Sequence, residues 1–179
     1  GGSHAEEGVV RALRGDNGKE IVTITSHKVN GLGALAVGDI DNDGKPDIVA
    51  PRYGGRGVYN SGVYAFSNTG KLKWFSHDAS GKLVPLTVSW GGAALADLDA
   101  DGKPEVIVGN AVIRGSDGLV RCRGARGNGS QSGRMPISVV ADVTGDGKQE
   151  ILAGNTAYRH NCSQLWYKGK ADGFVAVTD

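Results

Sequence analysis

The sequence predicts an all-β protein made of repeated sheets of four antiparallel strands. Three observations predict it. Thirty of the 179 residues are glycine, more than twice the usual share of roughly 7%, and this abundance indicates many tight turns. Prolines are few and the apolar runs are short, as in a strand-and-turn protein. A segment with its own acidic signature also recurs three times without gaps, which is the mark of a repeat architecture.

Composition and charge exclude several classes of protein. The hydrophobic share of 39% and the charged share of 22% exclude both a disordered chain and a membrane-spanning one. A net charge of +1 offers no electrostatic basis for binding nucleic acid. No apolar stretch approaches the roughly 20 residues that a membrane span needs. The length suits one domain or a fragment of a larger one.

The first 30 residues form the first predicted element. Residues 1–5 include Gly-Gly-Ser-His without an initiator Met, and we interpret them as an expression scar. Residues 9–13 and 20–24 are apolar strands joined by the turn Asp16-Asn17-Gly18, a turn sequence that hairpins favour. This hairpin resembles the third and fourth strands of the repeats that follow, so residues 6–30 are predicted to be part of a blade.

Three repeats then follow, each with an apolar strand, an acidic loop and a second apolar strand. These units occupy residues 35–50, 93–108 and 138–153, and a hairpin with suitable turn residues follows each of them. The three copies recur at intervals of 58 and 45 residues, and Asp179 of the partial next copy follows Asp142 after 37 residues; such periods suit one small sheet per repeat. We predict three full blades at about 31–88, 89–133 and 134–170, and the first strand of a next blade at 173–179. Four-stranded sheets repeated around an axis make a β-propeller.

The acidic loops follow the pattern Asp-x-Asp-x-Asp-Gly-x-x-Asp/Glu, which predicts metal sites. Short carboxylates at positions 1, 3 and 5 of a curled loop converge on one point, and Gly at position 6 permits the sharp turn. A backbone carbonyl at position 7 and a carboxylate at position 9 can complete an oxygen cage. Oxygen ligands in a flexible loop favour Ca²⁺ over Mg²⁺, with about three ions per chain. The predicted side-chain ligands are Asp39, Asp41, Asp43, Asp47, Asp97, Asp99, Asp101, Glu105, Asp142, Thr144, Asp146 and Glu150.

These loops resemble those of the FG-GAP repeat family, the propeller repeats of integrin α-subunit heads and of many secreted bacterial and fungal proteins. The resemblance implies a calcium-stabilised β-propeller that acts outside the cell in adhesion or ligand recognition. By position it also implies that the carbonyls of Lys45, Lys103 and Lys148 bind the ions. Thr144 replaces an acidic residue in the third loop, and we therefore expect the third site to be the weakest.

Three repeats are too few for a full ring, and this shortfall predicts assembly. The ends of the chain look complementary, because residues 174–178 could serve as a first strand for the hairpin at 9–24. Pairing within one chain would close a four-bladed ring, and pairing between two chains would give a two-fold ring of eight blades. We favour the homodimer because four-bladed closure demands steep angles between blades. An engineered piece of a propeller that assembles into a ring is a further interpretation.

Other residues bear on ligands and catalysis. Arg52, Tyr53, Arg56 and Tyr59 lie on an insertion of the first repeat, and Trp90 lies in a connection between blades; we predict that these bind a carbohydrate or protein ligand. No catalytic motif remains outside the acidic loops. We therefore expect a secreted, non-catalytic module. The alternatives are a lectin or a fragment of a calcium-dependent, lyase-like enzyme acting on polysaccharides.

The two cysteines leave one question open. Cys122 and Cys162 are too few for a disulfide scaffold and fit no zinc spacing. A single bridge between them and two unpaired thiols are equally compatible with the sequence.

Overall fold

A computed structural model describes residues 6–130, 135–169 and 171–178 of the chain. Its regular structure consists of strands alone. They are β1 (Glu7–Leu13), β2 (Glu20–Asn30), β3 (Ala36–Gly38), β4 (Asp47–Pro51), β5 (Val63–Phe66), β6 (Leu72–Phe75), β7 (Ala94–Ala96), β8 (Glu105–Val108), β9 (Ala111–Arg114), β10 (Val120–Arg123), β11 (Val139–Ala141), β12 (Glu150–Ala153), β13 (Thr156–Tyr158) and β14 (Gln164–Tyr167). No helix in the described ranges is long and apolar enough to cross a membrane.

The strands form three four-stranded antiparallel sheets and one hairpin. Strands β3–β6 make blade 1, β7–β10 make blade 2 and β11–β14 make blade 3, each in simple sequence order. Strands β1 and β2 form the N-terminal hairpin. This architecture confirms the predicted all-β fold with propeller blades. Strand contacts join the hairpin to blade 1, blade 1 to blade 2 and blade 2 to blade 3, so the sheets form an open arc.

A β-bulge recurs at one position in every outermost strand. The register between the last two strands of each unit slips by one residue, and the extra residue is Ile21 in the hairpin, Lys73 in blade 1, Arg121 in blade 2 and Leu165 in blade 3. The shared bulge supports the prediction that β1 and β2 correspond to the third and fourth strands of a blade. A bulge re-aims the side chain of the residue that it adds.

The core lies between sheets. One apolar cluster, including Val10, Ile24 and Phe66, joins the hairpin to blade 1. A second cluster joins blades 1 and 2 and contains Trp74, whose Nε1 donates to the carbonyl of Gly115 over 2.7 Å. A third cluster joins blades 2 and 3. Each sheet therefore buries its faces against its neighbours, as the blades of a propeller do.

Cys122 and Cys162 form a disulfide, which answers the question that the sequence left open. Their Cα atoms lie 5.9 Å apart. Cys122 belongs to β10, and Cys162 lies in the turn between β13 and β14, so the bridge ties the outermost strand of blade 2 to this turn of blade 3.

The C-terminal residues follow the last strand of blade 3. Residues 171–178, which include most of the predicted first strand of a next blade, form no strand in this single chain. Asp179, the last residue of that prediction, and the predicted scar at residues 1–5 lie outside the described residues. The pairing of this segment with the N-terminal hairpin stays a prediction.

Candidate metal centres

Each acidic loop joins the first two strands of a blade. The loops begin directly after β3, β7 and β11, and their ninth residue is the first residue of β4, β8 or β12. The antiparallel pairing of these strands forces the intervening residues into a tight curl. All twelve predicted side-chain ligands lie on these three curls.

The same hydrogen-bond network shapes each curl. In the first loop, Asp39 accepts from the backbone N–H of Asp43 over 3.1 Å and of Gly44 over 2.8 Å. Asp43 in turn accepts from the N–H of Lys45 over 2.8 Å. Asp97 and Asp101 repeat these bonds in the second loop, and Asp142 and Asp146 repeat them in the third. The carboxylates at positions 1 and 5 therefore organise the loop backbone themselves, as Asp does in turns.

The network engages the N–H groups of the lysines at position 7. Lys45, Lys103 and Lys148 donate these groups to the carboxylates at position 5. The role of their carbonyls as calcium ligands stays a prediction.

Two backbone positions in each curl adopt a left-handed conformation. Position 6 is Gly in all three loops, with φ near +80°, as the motif predicts. Position 4 is also left-handed, at φ 61° in Asn42, 60° in Ala100 and 74° in Gly145. The acidic motif does not predict this second position, although Asn and Gly at two of the three equivalent sites are a signal for it.

The carboxylates at position 9 are buried beneath the loops. Asp47, Glu105 and Glu150 are each 2% exposed or less. Glu105 accepts from the N–H of Leu98, and Glu150 accepts from the N–H of Val143, each over 3.1 Å. Burial raises the pKa of Glu105, against the lowering effect of the Leu98 N–H. A buried carboxylate destabilises the fold when no positive charge pairs with it.

Basic side chains from the outermost strands contact the first two loops. Lys73 Nζ lies 2.6 Å from Asp41 Oδ2 and 2.8 and 2.9 Å from the two oxygens of Asp47. Partial burial lowers the pKa of Lys73, but the hydrogen bonds to these carboxylates outweigh it and leave the pKa raised.

Arg121 makes the equivalent contacts in blade 2. Its Nη1 lies 3.1 Å from Glu105 Oε1 and 3.5 Å from Asp99 Oδ2. Both cations are the bulge residues of their strands, so the bulge is what aims them at the loops. The acidic motif does not predict them; the signal for them in the sequence is a basic residue directly before Trp74 in β6 and before Cys122 in β10.

Two oxygen atoms point to the place of a cation. Among the described residues, the buried side-chain atoms without a hydrogen-bond partner are Asp41 Oδ1 and Asp99 Oδ1, both at position 3 of their loops. Such orphaned acceptors are costly unless a ligand satisfies them. Ligand oxygens of Asp39, Asp41 and Asp43 lie within 4.8 Å of one another, as do those of Asp97, Asp99 and Glu105. These oxygen-only donor sets fit a hard divalent cation.

The third loop differs from the other two. Thr144 and Asp142 are exposed, and hydrogen bonds led by the Gly147 N–H lower the pKa of Asp142. The bulge residue here is Leu165 rather than a cation. With the lysines at position 7 included, the first two loops each combine four carboxylates with two basic residues, and the third combines three carboxylates with Lys148, so each has a local charge of about −2. The ranking of the third site as weakest stays a prediction.

The adjacent loops are linked. Asn42 Nδ2 in the first loop donates to the carbonyl of Gly102 in the second loop. The backbone N–H of Gln149 donates to the carbonyl of Leu98 over 3.0 Å, which connects blade 3 to the second loop. A Cβ atom at Gly115 would lie 2.3 Å from the carbonyl oxygens of both Ile40 and Pro104, so the packing there admits only glycine. Hydrogen bonds and close packing therefore connect each loop to the next blade.

The predicted ligand-binding residues separate into two places. Trp90, at φ 61°, lines a cleft of about 200 Å³ between the connections that precede β7 and β11. Arg52 lines a cleft of about 350 Å³ between the N-terminal hairpin and blade 1. Tyr53 and Tyr59 are half-buried and Arg56 is exposed on the insertion, and none of these three lines the cleft that contains Arg52.

Comparisons with known proteins agree with this architecture. Residues 32–66, which include the first acidic loop, match the model of the FG-GAP repeat. The chain is also similar to the crystal structure of the V. cholerae biofilm matrix protein Bap1, with a TM-score of 0.65 and 25% identity over 91% of the chain. The chain spans about a quarter of that protein, since the match covers 24% of its length. No curated protein sequence matches the chain significantly.

Proposed function

We propose that this chain is a member of the FG-GAP repeat family built from propeller blades. We propose further that it is a calcium-stabilised and non-catalytic module for extracellular recognition and scaffolding. Each blade supplies one loop site, for about three ions per chain. The observation that carries the proposal is the pair of orphaned oxygens, Asp41 Oδ1 and Asp99 Oδ1, at the same position of two equivalent loops.

A bound Ca²⁺ would supply two positive charges at the point where the loop carboxylates converge. The chain's own residues do the rest: positions 1 and 5 hold the curl by backbone hydrogen bonds, and position 9 anchors it to the second strand. Lys73 and Arg121 balance part of the charge. Because neighbouring loops are bonded to one another, binding at one loop orders the face that joins the blades.

An extracellular scaffolding role has support from two observations. The disulfide between Cys122 and Cys162 is typical of proteins in oxidising compartments. The similar structure belongs to a biofilm matrix protein. We propose a secreted location on these grounds.

The proposed absence of catalysis has a direct test. Incubation with pectic polymers would raise ultraviolet absorbance if the chain had the lyase-like activity that the sequence left as an alternative. We expect no change in absorbance, and formation of unsaturated product would contradict a non-catalytic role.

We also propose that two copies of the chain pair to complete a ring. Apolar side chains are exposed at both ends of the arc: Leu13 is 52% and Ile21 60% exposed on the hairpin, and Phe174 is 59% exposed near the other end. Exposed apolar surface of this kind is typical of a face that a partner molecule covers. Light scattering at tens of micromolar should show a dimer that Ile21→Lys disrupts and Thr25→Lys, at an exposed site of β2, leaves intact. A wild-type monomer would contradict this assembly.

The calcium sites are tested by native mass spectrometry with and without a chelator. We expect about three Ca²⁺ per chain, and one ion fewer in the Asp97→Asn and Asp142→Asn variants. A wild-type protein that binds no Ca²⁺ at millimolar concentrations would overturn the proposed function.

A further inference from the structure

The cleft between the N-terminal hairpin and blade 1 has the composition of a ligand site. Its volume is about 350 Å³, and its walls are formed by residues from β2, β5, β6 and the connections next to them. The lining residues are His27, Arg52, Tyr64, Leu72, Phe75 and Leu83. A mostly apolar pocket with a few polar groups at the junction of two units is the common form of a small-molecule site.

Arg52 provides a cation without a counter-charge. Its side chain is half-buried, and its Nε donates to the hydroxyl of Tyr64 over 2.9 Å. Its guanidinium carbon lies 5.6 Å from the centroid of the Tyr64 ring. In the part of the chain that the structure describes, Arg52 forms no salt bridge, whereas Lys73 and Arg121 both do. The bond through Nε holds the planar guanidinium in place. Among the described residues its two terminal nitrogens have no hydrogen-bond partner, so they can bind a ligand.

The guanidinium fork and the ring walls specify one ligand chemistry. A guanidinium binds a carboxylate through two parallel hydrogen bonds. The rings of His27 and Tyr64 lie edge to face with their centroids 5.2 Å apart, and Phe75 and Leu72 add apolar wall. A sugar ring presents an apolar C–H face that packs against aromatic rings, and a uronate carries its carboxylate at the edge of that ring.

We infer that this cleft binds a uronate residue of an acidic polysaccharide, with Arg52 on the carboxylate and Tyr64 and Phe75 against the sugar ring. Tyr64 acts as a positioning residue for Arg52 through its hydroxyl. The inference deepens the proposed recognition role and rests on it. The uronate carboxylate would pair with the half-buried charge of Arg52, which forms no salt bridge among the described residues. The ligand would also bridge the hairpin to blade 1.

Calorimetric titration with trigalacturonate, at constant saturating Ca²⁺, tests the inference. We expect trigalacturonate to bind the wild type. The fully methyl-esterified trimer keeps the rings but lacks the charges, and its affinity should be lower by about tenfold or more. Arg52→Met should lose about tenfold or more in affinity, and Arg52→Lys should lose part of it because the charge remains without the fork. The control Arg123→Met, at an exposed arginine of β10, should bind as the wild type does.

Three results would overturn the inference. Equal affinity of wild type and Arg52→Met would place any binding elsewhere, including at calcium in the acidic loops. Equal affinity for an acetylated and amidated Glu-Glu-Glu peptide would show that the site does not select a saccharide. No binding of trigalacturonate at millimolar concentration would exclude a uronate site. A separate Ca²⁺ titration of each variant reports the proposed metal sites independently, so the two proposals can fail separately.

Discussion

Lys73 allows the electrostatics of the first acidic loop to be tested directly. Its ammonium contacts both oxygens of Asp47, whose side chain is 1% exposed, and the lysine side chain itself is 17% exposed. Substitution Lys73→Met keeps the apolar stem and removes the charge. In calcium-free protein this leaves Asp47 as a buried carboxylate without a partner, which costs about 3–5 kcal/mol of the free energy of unfolding.

Calcium should reverse most of this loss. A divalent ion among the same carboxylates replaces the missing charge, and removal of a neighbouring like charge should also tighten the binding of that ion. We therefore expect the deficit of Lys73→Met to be largest with a chelator and to shrink at millimolar Ca²⁺. At about 2–4 °C per kcal/mol for a domain of this size, the loss in chelator corresponds to a fall of roughly 6–20 °C in the unfolding temperature.

The assay is urea or thermal unfolding followed by circular dichroism, in chelator and in calcium. Lys71→Met is the matched control, because Lys71 is exposed just before β6 and should change stability by no more than about 0.5 kcal/mol. If Lys73→Met does not fold in chelator, its refolding on addition of Ca²⁺ measures the same effect. Equal stability of the two variants in chelator would refute the electrostatic reasoning.

Four further predictions concern the second and third loops and the disulfide. Glu105→Gln should raise the urea midpoint in chelator at neutral pH, because burial raises the pKa of Glu105 and its ionised form destabilises the fold there. The gain should shrink as the pH falls through the raised pKa and vanish below the ordinary pKa of a glutamate, and the variant should lose most of the calcium stabilisation. Asp142→Asn should remove one Ca²⁺ in native mass spectrometry while the other two remain, and loss of all three would contradict separate sites. Ala100→Gly should raise stability by about 1 kcal/mol, since Ala100 has φ 60°; an unchanged midpoint would show that this conformation carries no strain. Replacing Cys122 and Cys162 by Ser should lower the free energy of unfolding by about 4 kcal/mol, from a sequence separation of 40, and the wild type under a reducing agent should show the same loss.

The acidic loops were predictable because their geometry is local. The bonds from Asp39 to Asp43 and Gly44, and their equivalents in the other loops, span at most five residues, so the motif alone describes the curl. Strand boundaries and the blade repeat were predictable for the same reason, since turn residues and apolar runs lie within each hairpin.

The cations of the first two sites depend on residues far along the chain. Lys73 lies 26 residues from Asp47, and the β-bulge that aims it at the loop is a property of strand pairing rather than of a motif. The ranking of the three loops by carboxylate count therefore left out the balancing charges of Lys73 and Arg121. The cleft between the N-terminal hairpin and blade 1 could not be predicted from the sequence either, because it joins His27 of the hairpin to Arg52 and Tyr64 of blade 1.

The four-stranded repeat, the three curled acidic loops and their oxygen-rich chemistry can be read from the amino-acid order, since each of these is encoded within a short stretch of chain. The folded chain was needed to find the pairing of Cys122 with Cys162, the placement of Lys73 and Arg121 over the carboxylates, and the cleft that contains Arg52. These features arise because packing of one sheet against the next brings together residues that short-range propensity cannot relate. The charge balance of the acidic loops and the shape of the ligand cleft both depend on such contacts.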